Sequence, residues 1–126
     1  MEYEKFIELI RERGGLERFG EAERAASAVL EVLGEQLTTG QANSIDEQLP
    51  THIRDAIMQN NMSRPFGLHE FIRLVSDRES VGPAEAEAHV RAVLSVLSDT
   101  ISLDKAKEAL ERLPEEIREL LVPALK

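Results

Sequence analysis

Apolar residues recur along this chain at the spacing of one face of a helix. Phe6, Leu9 and Ile10 stand at i, i+3 and i+4 with Arg13 following, and Phe71, Leu74 and Val75 repeat the arrangement ahead of Arg78. Each run predicts a helix with one buried side. Gly14-Gly15 stops the first. Gly82-Pro83 breaks the chain after the second, where proline suits the first position of a new helix and Glu85 and Glu87 favour the positive end of its dipole. Longer faces follow: Ala22, Ala25, Ala26, Val29, Val32, Leu33 and Leu37 in one case, Ala86, Val90, Val93, Val96, Leu97 and Ile101 in the other. Their alanine-rich openings permit a neighbouring helix to approach closely, so these are the expected central helices. No stretch of any length alternates apolar and polar residues as a half-buried strand would, and sheet content is expected near zero.

Shorter helices come after each long one. Thr38 and Ser102 precede new helical patterns, and both residue types accept backbone N–H groups at a helix N-terminus; Thr38 also has Gln41 three residues on, as a capping box requires. These helices should end near Leu49 and Leu113, because the residue before a proline is biased away from helix. Pro50 and Pro114 then open the last helix of each set, in the shared motif Leu-Pro-x-x-Ile-Arg. Its Leu and Ile can face inward while Arg54 or Arg118 is left toward solvent or a neighbour.

The two sets are one pattern written twice. Phe6 to Ile10 matches Phe71 to Val75 at a spacing of 65 residues, and Ala28 to Leu33 matches Ala92 to Leu97 at 64, so the first copy carries one extra residue in the intervening loop. The register then holds through Pro50, Ile53 and Arg54 against Pro114, Ile117 and Arg118. Copies of about residues 1–60 and 66–126 are joined by a polar linker, 59–67, containing Pro65 and Gly67. A unit of about sixty residues buries too little surface to be comfortable alone. The expected fold is therefore all-α: a tandem duplication of a three-to-four-helix unit, packed about a pseudo-two-fold axis into one helical bundle spanning residues 1–126 as a single domain. The alternative is two beads that each dimerise with another chain.

Charge narrows the function. The 126 residues carry 24 acidic and 15 basic side chains, a formal charge of −9, which repels phosphate backbones and anionic lipid heads. The helices after the prolines hold Thr51, His52, Arg54 and Asp55, or Glu115, Glu116, Arg118 and Glu119, an acidic face for a helix that would have to meet DNA. Asn60, Asn61 and Arg64 of the linker are the residues best suited to nucleic acid, and they are few. With no cysteine there is no disulfide, thiolate zinc site or cysteine nucleophile. The opening Met1-Glu2-Tyr3-Glu4 is acidic where a signal peptide is basic, and no apolar run approaches the ~18 residues of a membrane span. A cytoplasmic location is expected.

Three stretches resemble the prokaryotic proteins grouped as domain of unknown function 2267: Phe6-Ile7-x-Leu9-Ile10-x-x-Arg13-Gly14-Gly15, then Arg24-Ala25-x-x-Ala28-Val29-Leu30-x-x-Leu33, then Gln48-Leu49-Pro50-x-x-Ile53-Arg54. The second half is similar too, in Phe66-x-x-x-x-Phe71, His89-Val90-Arg91-Ala92-Val93-Leu94 and Arg112-Leu113-Pro114-x-x-Ile117-Arg118. The resemblance covers almost the whole chain. It implies a small all-helical bacterial or archaeal protein without an assigned enzymatic activity, sometimes found in stress-related gene neighbourhoods, and it brings no catalytic residues. The chain departs from the pattern at Gln48 and Thr51-His52, where many members carry charged residues.

Candidate chemistry is sparse. Glu85 and His89 at i and i+4 form a metal half-site, as do the adjacent His69 and Glu70, but the first copy repeats neither, and all three histidines, with His52, are expected as ordinary helix-surface side chains. No serine lies on a Gly-x-Ser-x-Gly turn and no glycine-rich phosphate loop follows a strand. Carboxylate pairs such as Glu8/Glu12 and Glu108/Glu111 sit at the spacing of solvated helix faces. No catalytic residue, cofactor or metal is assigned, and the chain is read as non-enzymatic. The duplicated arginines carry more weight: Arg54 with Arg118, and Arg13 with Arg78, would appear in symmetric pairs able to hold a carboxylate or phosphate. The competing reading pairs them with helix C-termini and nearby glutamates. Met58, Met62 and Phe66 at the joint, and the tail Leu120 to Leu125, are candidate contact surfaces. The expected function is protein–protein contact or self-association, including a homodimer. The runner-up is a small-ligand or anion sensor built on the duplicated arginines.

Overall fold

In the computed structural model, which describes residues 1–102 and 104–121, both Phe-led patterns fold as twelve-residue helices, α1 (Tyr3–Gly14) and α5 (Leu68–Glu79). Phe6, Ile7 and Ile10 of α1 and Phe71 and Val75 of α5 are fully buried. Each helix ends on a left-handed residue, Gly15 (φ 65°) after α1 and Ser80 (φ 57°) after α5. The long faces become α2 (Phe19–Glu35) and α6 (Pro83–Thr100), with Pro83 at the first helical position as expected. Ala22, Ala25 and Ala26 of α2 are fully buried, and α2 and α6 lie against each other.

The shorter elements are α3 (Thr39–Asp46), α4 (Arg54–Met58), α7 (Lys107–Arg112) and α8 (Glu115–Leu121). Thr38 caps α3 through the reciprocal box its sequence announces: Gln41 N donates to Thr38 Oγ1 at 3.1 Å, and Thr38 N to Gln41 Oε1 at 3.0 Å. Two expectations need correction. Ser102 does not cap α7, which starts at Lys107 after Ala106; Ser102 instead gives its backbone N–H to Gln48 across the molecule. Pro50 opens a 3-10 turn, Thr51–Ile53, before α4, whereas Pro114 leads directly into α8. The shared motif still points its apolar residues inward, with Leu49, Ile53, Leu113 and Ile117 all buried.

Among the described residues there are eight α-helices, one 3-10 turn and no strand. Helix α1 packs on α2 and α6, α5 on α6 and α2, α4 on α2 and α3, and α8 on α6, while α3 meets α7. The buried apolar side chains of all these helices form one contiguous cluster. One contact is unusually close. A Cβ added to Gly34 near the end of α2 would stand 2.1 Å from the Ile57 carbonyl oxygen, so glycine is what lets α4 lie down on α2.

Candidate functional site

Arg13 and Arg78, near the helix ends, reach across the molecule rather than outward. Arg13, in the last turn of α1, donates to Ser95 Oγ at 2.7 Å and Asp99 Oδ2 at 2.6 Å, both on α6. Arg78, in the last turn of α5, donates to the Glu35 carboxylate of α2 and lies 3.9 Å from Glu31. The environments differ: the Asp99 side chain is 52% exposed and that of Glu35 only 6%. Neither guanidinium is left open for an anion. Arg54 is exposed and its Nε donates to the Leu49 carbonyl at 2.9 Å, closing its own corner. Arg118 is half-buried, and its guanidinium has no partner among the described residues.

The joint between α4 and α5 is held down along its length. Asn61 Nδ2 donates to the carbonyls of Gly34 and Ile57, each at 2.9 Å, Ser63 N to Leu37 O at 3.1 Å, Arg64 N to Glu35 O at 3.2 Å and Phe66 N to Gln36 Oε1 at 3.1 Å. From the other side Arg112 donates to the Ser63 carbonyl at 2.7 Å. Met58 and Phe66 are half-buried against the core, with the Phe66 ring edge-on to Phe71. Met62 is 41% exposed. Of the tail, Leu120 is half-buried and Leu121 buried, while Val122, Pro123, Ala124 and Leu125 lie outside the described residues.

His52 and His69 are exposed, His52 edge-on to Tyr3 with ring centroids 5.2 Å apart. His89 corrects the expectation of a surface side chain: it is 5% exposed, and its Nδ1 lies 3.0 Å from both carboxylate oxygens of Glu79, itself 4% exposed. Position decides this. His89 falls between Ala86 and Val93 on the inward face of α6, and Glu79 follows Phe71 and Val75 at four-residue steps on the inward face of α5. The apolar periodicity passes through both positions, so the signal was in the sequence, masked by residue type.

The pair forms one wall of a cavity of about 70 Å³ whose other walls are Leu16, Val81, Glu21 and Arg24 of α2, and Glu85 of α6. Arg24 Nη2 donates to the Glu79 carbonyl at 3.3 Å, and Glu21 is occupied in part by the Arg18 N–H at the start of α2. The hydrogen bond that the His89 ring gives to the Glu79 carboxylate raises the His89 pKa above its ordinary 6.5, against the opposing effect of burial and with lesser help from Glu85 and Glu21. With Nδ1 held by a carboxylate, Nε2 is the nitrogen left without a partner among the described residues. The arrangement can therefore hold or release one proton inside the fold. Among the described residues no three His, Asp or Glu side chains are placed to hold a metal ion, and no helix is long and apolar enough to cross a membrane.

No curated protein matches this chain. The family model described as "Uncharacterized conserved protein (DUF2267)" matches residues 3–120, and the chain belongs to that family.

Proposed function

We propose that this chain is a tandem duplication of one helical unit, its copies packed about a pseudo-two-fold axis into a single domain, and that it acts without catalysis by binding another protein at the joint. Exchange of α1–α4 with α5–α8 supports the first part. Under it α1 on α2 becomes α5 on α6, α1 on α6 becomes α5 on α2, α2 on α4 becomes α6 on α8, and α2 on α6 and α3 on α7 map onto themselves; each of these contacts is present. The crossed arginines obey the same exchange, Arg13 with Ser95 and Asp99 corresponding to Arg78 with Glu31 and Glu35.

The observation that carries the binding reading is Met62. It is a large apolar side chain 41% exposed between two tethers, the Asn61 side chain before it and the Ser63 N–H after it, and half-buried Met58 and Phe66 flank it in sequence. A preordered anchor loses little conformational freedom on binding. The chain's charge of −9 selects a partner with basic residues around an apolar notch. The test uses the chain and a Met62→Glu variant as baits in lysate of the native host, with melting curves expected to match because the side chain is already exposed. The reading predicts a basic protein retained by the parent, lost with Met62→Glu and released by salt. Equal retention by both baits, or by neither, contradicts it. A second reading, a small-anion site on the duplicated arginines, rests on Arg118 alone, since Arg13, Arg78 and Arg54 are engaged. A saturable rise in melting temperature with phosphate, abolished by Arg118→Gln, would favour it.

A further inference from the structure

The pair Glu79–His89 sits where α5 turns into α6, and everything around it bears on that turn. Glu79 is the last residue of α5, Ser80 after it is held left-handed, and Val81 returns its N–H to Ser76 O at 3.2 Å while the Ser76 hydroxyl donates to the Val81 carbonyl. His89 stands in the second turn of α6, so the side-chain pair bridges the two helices that the turn joins. The groups facing it are Glu21 and Arg24 from α2 and Glu85 from α6; Arg24 is spent on the Glu79 carbonyl rather than its carboxylate. The imidazole is thus the hydrogen-bonding partner of a carboxylate 96% withdrawn from solvent, with two further carboxylates nearby. In the first copy the matching positions are Gly14 and Ala25, which have nothing to titrate.

We propose that Glu79–His89 is a protonation latch, closing the α5–α6 turn over the cavity beside Leu16 and Val81 while His89 carries its proton and freeing the turn when the proton is lost. The reason is the charge left behind. A protonated imidazole neutralises the buried carboxylate, whereas a neutral one leaves that charge withdrawn from water beside Glu85 and Glu21. Release lets Glu79 reach solvent by opening residues 79–82, at whose centre Ser80 already occupies a strained backbone region. The sign follows from the direction of the His89 shift. The latch is fully engaged below about pH 6.5, the ordinary histidine value, and disengages as the pH climbs through the raised folded value.

Amide hydrogen exchange read by NMR between pH 6 and 9, expressed as protection relative to intrinsic rates, tests this directly. The His89 ring resonances are followed in the same samples, and amides 15–18 of the first corner serve as the internal control. Protection of amides 80 and 81 is expected to fall at least about tenfold, as leaving a buried charge without its partner implies, in step with the His89 titration and with no matching change at 15–18. A His89→Gln variant should show the low protection at every pH, and Glu79→Gln should remove the step. A change below about twofold in the parent while His89 titrates overturns the proposal, as does an equal fall at both corners. The parent measurement decides even if a variant fails to fold.

Discussion

Gly15 and Ser80 hold the same place in the two corners of this molecule. Each follows a twelve-residue helix, each is left-handed, and each is followed by a residue whose N–H returns to the helix, Leu16 to Arg11 O at 2.9 Å and Val81 to Ser76 O at 3.2 Å. Even the side-chain support matches: Arg11 Nη1 donates to the Leu16 carbonyl and Ser76 Oγ to the Val81 carbonyl. The chemistry around the turns does not. The first corner turns on a glycine, which takes the left-handed conformation without strain, while the second carries a strained serine and the buried Glu79–His89 pair. On the proposed duplication, the turn geometry is common to both copies and the buried polar pair is present in the second alone.

The halves differ again at the ends of the long helices. Gly34 in α2 lies beneath the Ile57 carbonyl and the pinned joint, whereas the matching Ser98 of α6 is half-buried and accommodates a side chain. Arg78 meets a buried glutamate, and Arg13 an exposed aspartate. Both differences fall where α5 crosses α2 and the joint is tied down.

Substitutions at matching positions separate what the two halves have in common from what they do not, the largest effects coming from the core. Phe6→Ala and Phe71→Ala each remove a fully buried ring at matching positions and should each cost about 4 kcal/mol in chemical denaturation; a difference above ~2 kcal/mol between them would mean that the halves do not share one core design. Gly34→Val should lose about 3 kcal/mol, since its side chain must displace the Ile57 backbone, against ~0.5 kcal/mol or less for Ser98→Ala. Arg78→Met strands the Glu35 carboxylate and should cost about 2 kcal/mol, reduced by the partial exposure of the arginine, while Arg13→Met should stay under ~1 kcal/mol. The smallest effect has the opposite sign. Ser80→Gly relieves a left-handed serine and should stabilise by about 0.5–1 kcal/mol, readable as a rise in melting temperature that Gly15→Ser would reverse at the first corner.

Where periodicity and residue type agree, the sequence was readable. The faces led by Phe6 and Phe71, the Thr38–Gln41 cap, the helix stop at Gly14-Gly15 and Pro83 at a helix start all follow from local rules and appear as expected. The misses share a cause, which is that tertiary contacts set them. His89 and Glu79 lie on apolar faces but are polar, and only the neighbouring helices that close over both show them to be buried. The Pro50 and Pro114 motifs read alike, yet only one opens through a 3-10 turn, and Ser102 turns its backbone to Gln48 of the other half instead of capping α7. Arg13 and Arg78 were legible as a pair, but their partners stand on helices far away in sequence. Met58, Met62 and Phe66 read alike in the sequence, and burial alone separates the exposed Met62 from the two that pack inward.

On the proposed duplication, the two copies pack against each other within one chain. Gly14 of α1 lies against Ala92 of α6, where a Cβ on the glycine would stand 3.5 Å from the alanine methyl. A nuclear Overhauser contact between the Gly14 α-protons and the Ala92 methyl tests this most directly, recorded on uniformly labelled protein and again on a mixture of labelled and unlabelled chains. The contact should be strong in the first sample and absent between chains in the second. Its absence from the first, or its appearance only between labelled and unlabelled chains, would contradict packing of the two copies within one chain.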